Sequence, residues 1–543
     1  MGSALPQTLT SAINEARFLG HLRELFSTKS VVLAELMQNA RRAGAPAVMF
    51  HYQANGDLCV TDEGCGIDDF QALLTLAESG WSQPIMESEQ PFGIGFASVS
   101  FSAEQVCVES RARKIRFSAD DLVAKRPIPV EACNYAGAMR ITLAGFKLDQ
   151  STVDRELRRY AYGFAIDVYW NDECLPRPHA QHALMGEMTD IGFVHLPGIH
   201  RGSGRDSARV RVYCQGLPVQ VESFTSGRYI DVERAIVVHV DHRRYKPRVP
   251  DRDCLIDAAA AARDFSAAIK ALWRAHLLAR KVELAADQFA ETYWDISQRM
   301  GCFEIMCDVP YLPRHALSFV EDYPVVPYEY ESFMSMNEHG LTQEAVMRRV
   351  VGLFQPEICE REGDGFARML YAQAKGGLFV DALPSGHWAQ PYVVDLWQAR
   401  LRIACKAVAM QTFEGRYVSG LVKVVDSLVI ALGGDAVAIT QPVALGSDYN
   451  TVFLVPKDSP DPAEVLRQAA SYRDDSDTYQ ETDHDLDRDE FANLVSVLCG
   501  EDPCVTLHKC LTGGGSRSRT NLRGRRFLVS IDANGEASTL LQD

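Results

Sequence analysis

The chain has 543 residues, of which 47% are hydrophobic and 23% charged, and its formal net charge at pH 7 is −17. This length exceeds what one hydrophobic core supports, so about three domains are expected, and the composition excludes a disordered or fibrous protein. The acidic balance argues against nonspecific nucleic-acid binding by the whole surface. No apolar run reaches the roughly 20 residues of a membrane span, and residues 1–10 lack the basic and apolar segments of a signal peptide. We therefore expect a cytoplasmic protein without a membrane partner.

The predicted elements of the first domain mix helices and strands. Residues 30–43 carry apolar residues at helical spacing. The Asn55-Gly56 pair, between strands predicted at 48–52 and 58–61, indicates a β-hairpin. Further helices are predicted at 68–77, 95–101 and 151–162, and further strands at 105–110, 128–132, 139–143 and 164–169. This order predicts an α+β protein in which residues 1–185 form an α/β sandwich, with one mostly antiparallel sheet and helices on one of its faces.

Two further regions follow this domain. Residues 186–300 predict a second α+β domain, because strands at 208–213 and 235–240 precede an Ala-rich helix at 255–291. Residues 301–543 form a mixed α/β C-terminal region of unknown role, which could divide near residue 415. Its predicted helices are near 342–354, 366–374, 394–413 and 490–498, and its predicted strands are near 437–443 and 451–455.

The fourteen cysteines are scattered, which favours buried thiols in a reducing compartment over a disulfide framework. Cys499, Cys504, His508 and Cys510 form a cluster that raises the question of zinc, but they lack the paired C-x-x-C spacing of a structural zinc site. Charge is also uneven, since the charged residues of 508–526 are all basic. A solvated loop and a nucleic-acid contact both remain open for that stretch.

Three short segments in the first hundred residues have the residue types of a nucleotide site. They are E-L-M-Q-N-A at 35–40, D-E-G-C-G-I at 62–67 and Q-P-F-G-I-G-F-A-S at 90–98. Glu35 and Asn39 are four residues apart and therefore share one face of a helix. A carboxylate can orient water and a carboxamide oxygen suits magnesium, although an ordinary polar helix face is the alternative.

The second and third segments supply an acceptor and flexible backbone. Asp62 ends a strand and precedes Gly64 and Gly66, so its carboxylate could accept a hydrogen bond from an exocyclic amine, although a simple turn has the same residues. Gly93 and Gly95 can adopt backbone angles closed to other residues. Their N–H groups, followed by a helix, could cradle phosphate.

In order and spacing, these segments resemble the ATP site of the GHKL, or Bergerat-fold, superfamily, which includes gyrase, heat-shock protein 90, histidine kinases and MutL. The wording P-F-G-I-G-F-A-S, the following Q-V-C-V-E-S-R and the preceding A-E-S-G at 77–80 are most similar to the heat-shock protein 90 family. The resemblance implies ATP and Mg²⁺ as ligands. It also implies that Glu35 positions the attacking water, Asn39 binds Mg²⁺ and Asp62 binds adenine. The other nucleotide contacts that it implies are Gly64, Gly66, Ile67, Ser79, Gly80, Phe92, Gly93, Ile94, Gly95 and Phe96, with residues 81–89 as a short lid.

A fourth segment lies in the second domain. V-P-D-R-D-C-L at 249–255 resembles the L-x-S-R-E-x-L segment of the chaperone's middle domain, which implies that Arg252 reaches the γ-phosphate of ATP as a catalytic residue. A surface ion pair of Arg252 with Asp251 or Asp253 is the alternative. Lys246 and Arg248 are the other candidates for this role.

Two positions depart from the family pattern. Arg42 stands where the family's helix has Asp, and Gly137-Ala138 stands where the family has Gly-Thr, whose hydroxyl supports the adenine-binding Asp. Neither departure removes Glu35 or Asn39. The sequence therefore predicts a Mg²⁺-dependent ATPase that acts as an ATP-gated, chaperone-like clamp on a protein client, and the resemblance implies a homodimer. The alternative is a nucleic-acid-associated ATPase, in which MutL-like use of the same site would involve the basic residues 508–526.

Overall fold

The computed structural model describes residues 30–75, 81, 83, 95–200, 209–221, 235–248, 252–320, 334–355, 364–446, 451–469, 480–500, 524, 526–533 and 536–542. Helices and mixed sheets both contribute, so the predicted α+β class is confirmed. The chain divides into two compact units, one formed by Met1–Val282 with Asp295–Cys302 and the other by Glu283–Trp294 with Phe303–Asp543. None of the described helices is both long and apolar enough to cross a membrane.

The first unit contains a sheet of eight strands with helices inserted between them. The strands are β1 Ala47–Tyr52, β2 Leu58–Asp62, β3 Gln105–Ser110, β4 Arg113–Phe117, β5 Glu131–Ala132, β6 Met139–Ala144, β7 Asp167–Trp170 and β8 Glu173–Cys174. The helices are α1 Val31–Arg42, α2 Gln71–Leu74, α3 Gly95–Phe101, α4 Ala119–Val123 and α5 Gln150–Ala161. The strand order is β5-β4-β3-β6-β2-β1-β7-β8. Within it β1 and β7 are parallel and the other pairs antiparallel, as predicted.

Alternating burial along the strands determines which face of this sheet the helices cover. In β1, Val48 and Phe50 are buried, whereas Met49 is exposed. Leu33 of α1 and Leu157 of α5 belong to the same buried cluster as Val48 and Phe50. The strands therefore pack their apolar side chains under the helices, and this packing fixes α1 over the sheet.

A second sheet in the same unit follows in sequence. Its strands are β9 Glu187–Thr189, β10 Gly192–His195, β11 Val210–Cys214, β12 Leu217–Val219 and β13 Ile236–Val240, in the order β12-β11-β13-β10-β9. The helices in this part are α6 Pro197–His200, α7 Ala258–Glu283 and, next along the chain, α8 Ala286–Arg299. The prediction of one helix at 255–291 is wrong, because the chain bends at Leu284 and the second helix begins after Ala285. No Gly or Pro marks this break, so propensity could not locate it.

The second unit is also built from sheets and short helices. Its strands are β14 Tyr311–Leu312, β15 Leu317–Val320, β16 Met334–Met336, β17 Leu341–Thr342, β18 Leu353–Phe354, β19 Leu378–Val380, β20 Val393–Val394, β21 Leu401–Glu414, β22 Ser419–Leu432, β23 Asp435–Ile439, β24 Val443–Leu445, β25 Thr451–Pro456, β26 Arg526–Ile531 and β27 Ala537–Gln542. Residues 286–294 of α8 belong to this unit. Its remaining helices are α9 Gln343–Met347, α10 Gly365–Ala374, α11 Leu466–Ala469 and α12 Glu481–Leu498. The larger sheets are ordered β16-β15-β19-β18-β20 and β21-β22-β25-β24, and β26 pairs with β27.

The helix predicted at 394–413 is wrong. This segment contains β21, which pairs antiparallel with β22 from Leu401 to Glu414. Register shifts between Cys405 and Ala409 interrupt the two-residue alternation that would have indicated a strand. Pairing with the Val- and Ile-rich β22 overrides the helix propensity of the alanines.

Three smaller predictions also need correction. The strand predicted at 128–132 is reduced to Glu131–Ala132, because Pro127 and Pro129 carry no N–H group for a ladder. Strand β4 was not predicted. The helices predicted at 68–77 and 342–354 are shorter: the described helical residues are Gln71–Leu74 and Gln343–Met347, and Leu353–Phe354 is a strand.

Candidate functional site

Helix α1 carries the first two candidate residues, as its pattern predicted. Glu35 is only 4% exposed, although it is charged, and Asn39 is half-buried one turn further along. Buried carboxylates require a partner to offset the loss of water. The groups around Glu35 should therefore include the partner that offsets its burial.

The third segment reaches Glu35 through Gly95, the first residue of α3. A Cβ atom added at Gly95 would overlap the Glu35 carboxylate. Only glycine permits this approach without displacing the carboxylate. The structure thus brings the first and third predicted segments together, and Phe96 follows Gly95 with its side chain packed against the core.

Arg252 is the charged partner of Glu35. Its Nε lies 3.0 Å from Oε1 of Glu35, and the two side chains are 13% and 5% exposed, respectively. Arg252 has a φ of +56°, and its backbone N–H donates to the carbonyl of Arg248 at 2.8 Å. The alternative of a surface ion pair is not supported by this burial. Lys246 and Arg248, the other candidates, are exposed.

Asp62 lies at the end of β2 and is buried. Its Oδ1 accepts a hydrogen bond from the N–H of Gly64 at 3.0 Å. Burial raises the pKa of the Asp62 carboxyl above its ordinary value, and this hydrogen bond opposes the rise only in part. The N–H of Cys65 donates to the carbonyl of Ala43 at 2.9 Å, which fastens the loop to the end of α1.

Ser110 holds the other end of this loop and was not among the predicted site residues. Its hydroxyl accepts from the N–H of Ile67 at 2.9 Å and donates to the carbonyl of Ala138 at 2.6 Å. Gly66 has a φ of +67°, and a Cβ atom there would come within 3.0 Å of Ser110 Oγ. The Ser110 hydroxyl of strand β3 therefore ties the backbone of Ile67 to that of Ala138.

Two arginines brace the same loop, Arg111 from the turn after β3 and Arg113 from the start of β4. Arg111 donates from Nη1 to Asp68 Oδ1 at 2.5 Å and from Nη2 to the Cys65 carbonyl at 2.5 Å. Arg113 donates to the carbonyls of Ile67 and Asp68 at 3.1 and 3.0 Å. Neither arginine was among the predicted site residues, although Arg111 ends the Q-V-C-V-E-S-R segment.

Arg42 occupies the position that departs from the family pattern. It is buried, and its Nη1 lies 3.4 Å from Oδ1 of Asn39. The amide oxygen that would bind a cation therefore has a guanidinium beside it. Among the described residues there is no group of three or more His, Cys, Asp or Glu side chains that could hold a metal ion.

Some predictions fall outside the described residues. These are Ser79, Gly80, Phe92, Gly93, Ile94, most of the lid at 81–89, and Cys504, His508 and Cys510 of the suggested zinc cluster. The basic stretch 508–526 is described only at Gly524 and Arg526. The eleven cysteines within the described ranges are free thiols.

Comparison with known proteins assigns no family to the chain. No protein-family model matches the chain, and no curated protein matches its sequence.

Proposed function

We propose that the chain is a magnesium-dependent ATPase that couples slow hydrolysis of ATP to a conformational cycle. The observation that carries this proposal is the buried pair of Glu35 and Arg252. The resemblance assigned both residues to the same reaction from separate parts of the sequence. An ordinary polar helix face would leave Glu35 in water, because carboxylates are rarely buried without a function or a partner.

The environment of Asp62 fits the adenine end of the nucleotide. One of its oxygens accepts from Gly64, and an ionised carboxylate has further acceptor capacity for an exocyclic amino group. Ser110 fixes the backbone of the adjacent loop. The phosphate end is proposed to lie at Gly95, which approaches Glu35, and the sequence pattern assigns Gly93 to the same end.

Asn39 would hold Mg²⁺. A single side-chain oxygen is sufficient, because Mg²⁺ in nucleotide sites takes most of its ligands from water and phosphate. The ion, when bound, would neutralise charge on the phosphates. Arg42 lies against the same oxygen and opposes a cation there, so we expect weaker Mg²⁺ affinity than an Asp at this position would give.

Glu35 performs the hydrolytic role in this proposal. It accepts a hydrogen bond from a water molecule and directs the water oxygen toward the γ-phosphorus. A bond forms between them while the bond from the phosphorus to the bridging oxygen of ADP breaks. The products are ADP and phosphate, and the proton released by water passes to Glu35 and then to solvent.

Arg252 determines when Glu35 is available. The guanidinium pairs with the carboxylate that must hold water. Phosphate competes well for arginine, because the guanidinium binds it through two parallel hydrogen bonds. Transfer of Arg252 from Glu35 to the γ-phosphate would therefore release the base and stabilise the transition state together. The positive φ of Arg252 supports this role, since strained residues cluster at functional sites.

We favour a protein client over nucleic acid. The hairpin formed by β26 and β27 exposes the apolar side chains Phe527, Leu528, Ile531, Leu540 and Leu541. Apolar surface suits a protein segment, whereas a phosphate backbone is bound chiefly by Lys and Arg. The proposed clamp would be a homodimer whose N-terminal domains associate when ATP binds. Salt-dependent DNA binding that is lost when Arg517, Arg519 and Arg523 are neutralised would instead favour the nucleic-acid alternative.

Separate measurements of nucleotide binding and hydrolysis test the ATPase. Asp62→Asn should lose ATP binding, whereas Glu35→Ala should bind ATP but not hydrolyse it. Glu63→Ala, an exposed neighbour of Asp62, is the matched control and should do both. Unchanged hydrolysis in Glu35→Ala would overturn the mechanism.

A further inference from the structure

A cavity of about 280 Å³ lies in the first unit, and none of the predicted ATP-site residues that the structure describes lines it. One wall is the C-terminal end of α5, with Arg159 and Tyr162. A second wall is the hairpin of β11 and β12, with Arg211 and Tyr213. Ligand cavities are typically about 300–1,000 Å³, so this one would take a ligand at the small end of that range.

The charged side chains of the cavity favour an anion. Arg159 and Arg211 both line it, and no acidic side chain is found among the described residues that do. Arg159 is 45% exposed and shares its charge with Glu156 at 2.8 Å. Arg211 is half-buried on β11 and faces the same space. Arginine in such a position recognises a carboxylate or a phosphate.

The remaining surface favours a flat apolar body attached to that anion. Valines of β11 and β12, together with Pro218, provide apolar walls. The rings of Tyr162 and Tyr213 flank His179, with centroids 5.6 and 5.8 Å from its imidazole. The hydroxyl of Tyr213 lies 2.7 Å from Nδ1 of His179, which fixes both rings in place. Aromatic rings bind flat ligands by stacking and edge contacts.

The hairpin that forms one wall also contacts the helix that carries Glu35 and Asn39. The side chain of Gln38, only 1% exposed, donates from Nε2 to the carbonyl of Gln215 at 3.0 Å. Gln215 is in the turn between β11 and β12 and has a φ of +52°. A ligand that shifts the hairpin would therefore change the hydrogen bond to Gln38, which lies on α1 between Glu35 and Asn39.

We propose that this cavity binds a small aromatic carboxylate and that its occupancy regulates nucleotide binding through the Gln215–Gln38 contact. The regulatory part rests on the proposed ATPase, whereas the binding part does not. In the complex, Arg211 pairs with the carboxylate and the ring lies among Tyr162, Tyr213 and the apolar walls. The cavity and the ATP site are thus two sites joined by one hydrogen-bonded turn.

Direct titration of the full chain with 2-naphthoate, in the absence of nucleotide, tests the binding site. We expect saturable binding that benzoate competes for. Arg211→Gln should weaken it about 10- to 100-fold, the effect of one lost charge-assisted contact. Arg116→Gln, which removes an exposed arginine of β4 outside the cavity, is the control and should bind normally. Tyr213→Phe keeps the aromatic ring and should weaken 2-naphthoate binding less than Arg211→Gln does. It provides a second test of the cavity if Arg211→Gln fails to fold.

The outcomes separate the two parts of the proposal. Absence of saturable binding below about 1 mM, or equal binding by Arg211→Gln and the parent chain, would overturn the site. Equal competition by inorganic phosphate would overturn the aromatic assignment. ATP affinity should change when 2-naphthoate is bound, and Gln38→Ala should abolish that change without abolishing 2-naphthoate binding. If the chain bound 2-naphthoate but no ATP, the proposed function would fail and the site would stand.

Discussion

Nε of Arg252 lies 3.0 Å from Oε1 of Glu35 in an ion pair, and both side chains are largely shielded from water. A pair of this kind is asymmetric in its energetics. Removal of one partner leaves an unpaired buried charge, whereas neutralisation of both partners leaves none. Arg252 is therefore expected to act both in the stability of the first unit and in the timing of hydrolysis.

Arg252→Gln is expected to lower the free energy of unfolding of the first unit by about 3 kcal/mol, because it leaves Glu35 unpaired. The double variant Glu35→Gln with Arg252→Gln should recover most of that loss. Urea denaturation of the full chain measures both effects, and Arg248→Gln, an exposed neighbour, serves as the control. Equal losses in the single and double variants would mean that the pair is not coupled.

Ser110→Ala is expected to destabilise the loop at 64–67, because the Ile67 N–H and the Ala138 carbonyl both lose their partner. A buried polar group left without a hydrogen bond costs about 1–3 kcal/mol. We expect the free energy of ATP binding to fall by a similar amount, which lowers the affinity about 10-fold or more, as measured by titration calorimetry.

Two further serine variants make the Ser110 prediction specific. Ser110→Thr retains the hydroxyl and should retain more affinity than Ser110→Ala. Ser102→Ala removes another buried hydroxyl, which donates to the nearby Val99 carbonyl at 2.7 Å rather than to the loop. If Ser102→Ala weakened ATP binding as much as Ser110→Ala, the positioning role of Ser110 would be wrong.

Asp62→Asn should make the protein more stable at pH 7 while it loses ATP. Burial raises the pKa of Asp62, so the folded protein bears the cost of an ionised buried carboxylate above that raised pKa. The advantage of Asn should therefore shrink as the pH falls toward the ordinary value of 3.8. Unfolding midpoints at pH 7 and pH 4 measure this difference, with the exposed Asp69→Asn as the control. A stabilisation that grows toward acid pH would contradict the assigned direction.

Gly95→Ala is expected to displace the Glu35 carboxylate, which the new Cβ atom would overlap. A shift of about 1 Å in a catalytic group can lower turnover about 100-fold. We expect kcat to fall by this order while ATP affinity changes less, as measured by steady-state hydrolysis and by direct binding. A fall in affinity alone, with kcat preserved, would show that the missing side chain at Gly95 is not needed to position Glu35.

The local sequence pattern was sufficient to predict those helices and strands whose apolar residues are regularly spaced. Helix α1 and the first hairpin, with its Asn55-Gly56 turn, were predicted closely. The strand β21 was predicted as a helix, because register shifts hide its alternation and a distant partner decides its conformation. Local sequence carries no information about such a partner.

The same limit applies to the candidate site. The segments predicted Glu35, Asn39 and Asp62 because their spacing is local. The contact of Ser110 with Ile67 and Ala138 joins three separate segments and could be found only in the folded chain.

The parallel pairing of β1 with β7 has a consequence for how this protein is made. Ala47 in β1 is paired with Asp167 in β7, and Arg252 lies later still in the chain. As the chain leaves the ribosome, all three nucleotide segments emerge before the strand that completes their sheet, and the partner of Glu35 emerges last. Long-range pairing of this kind is slow and leaves strand edges open. Nascent chains that stop short of β7 should therefore depend on chaperones and lack nucleotide affinity, although they already contain every residue of the three segments.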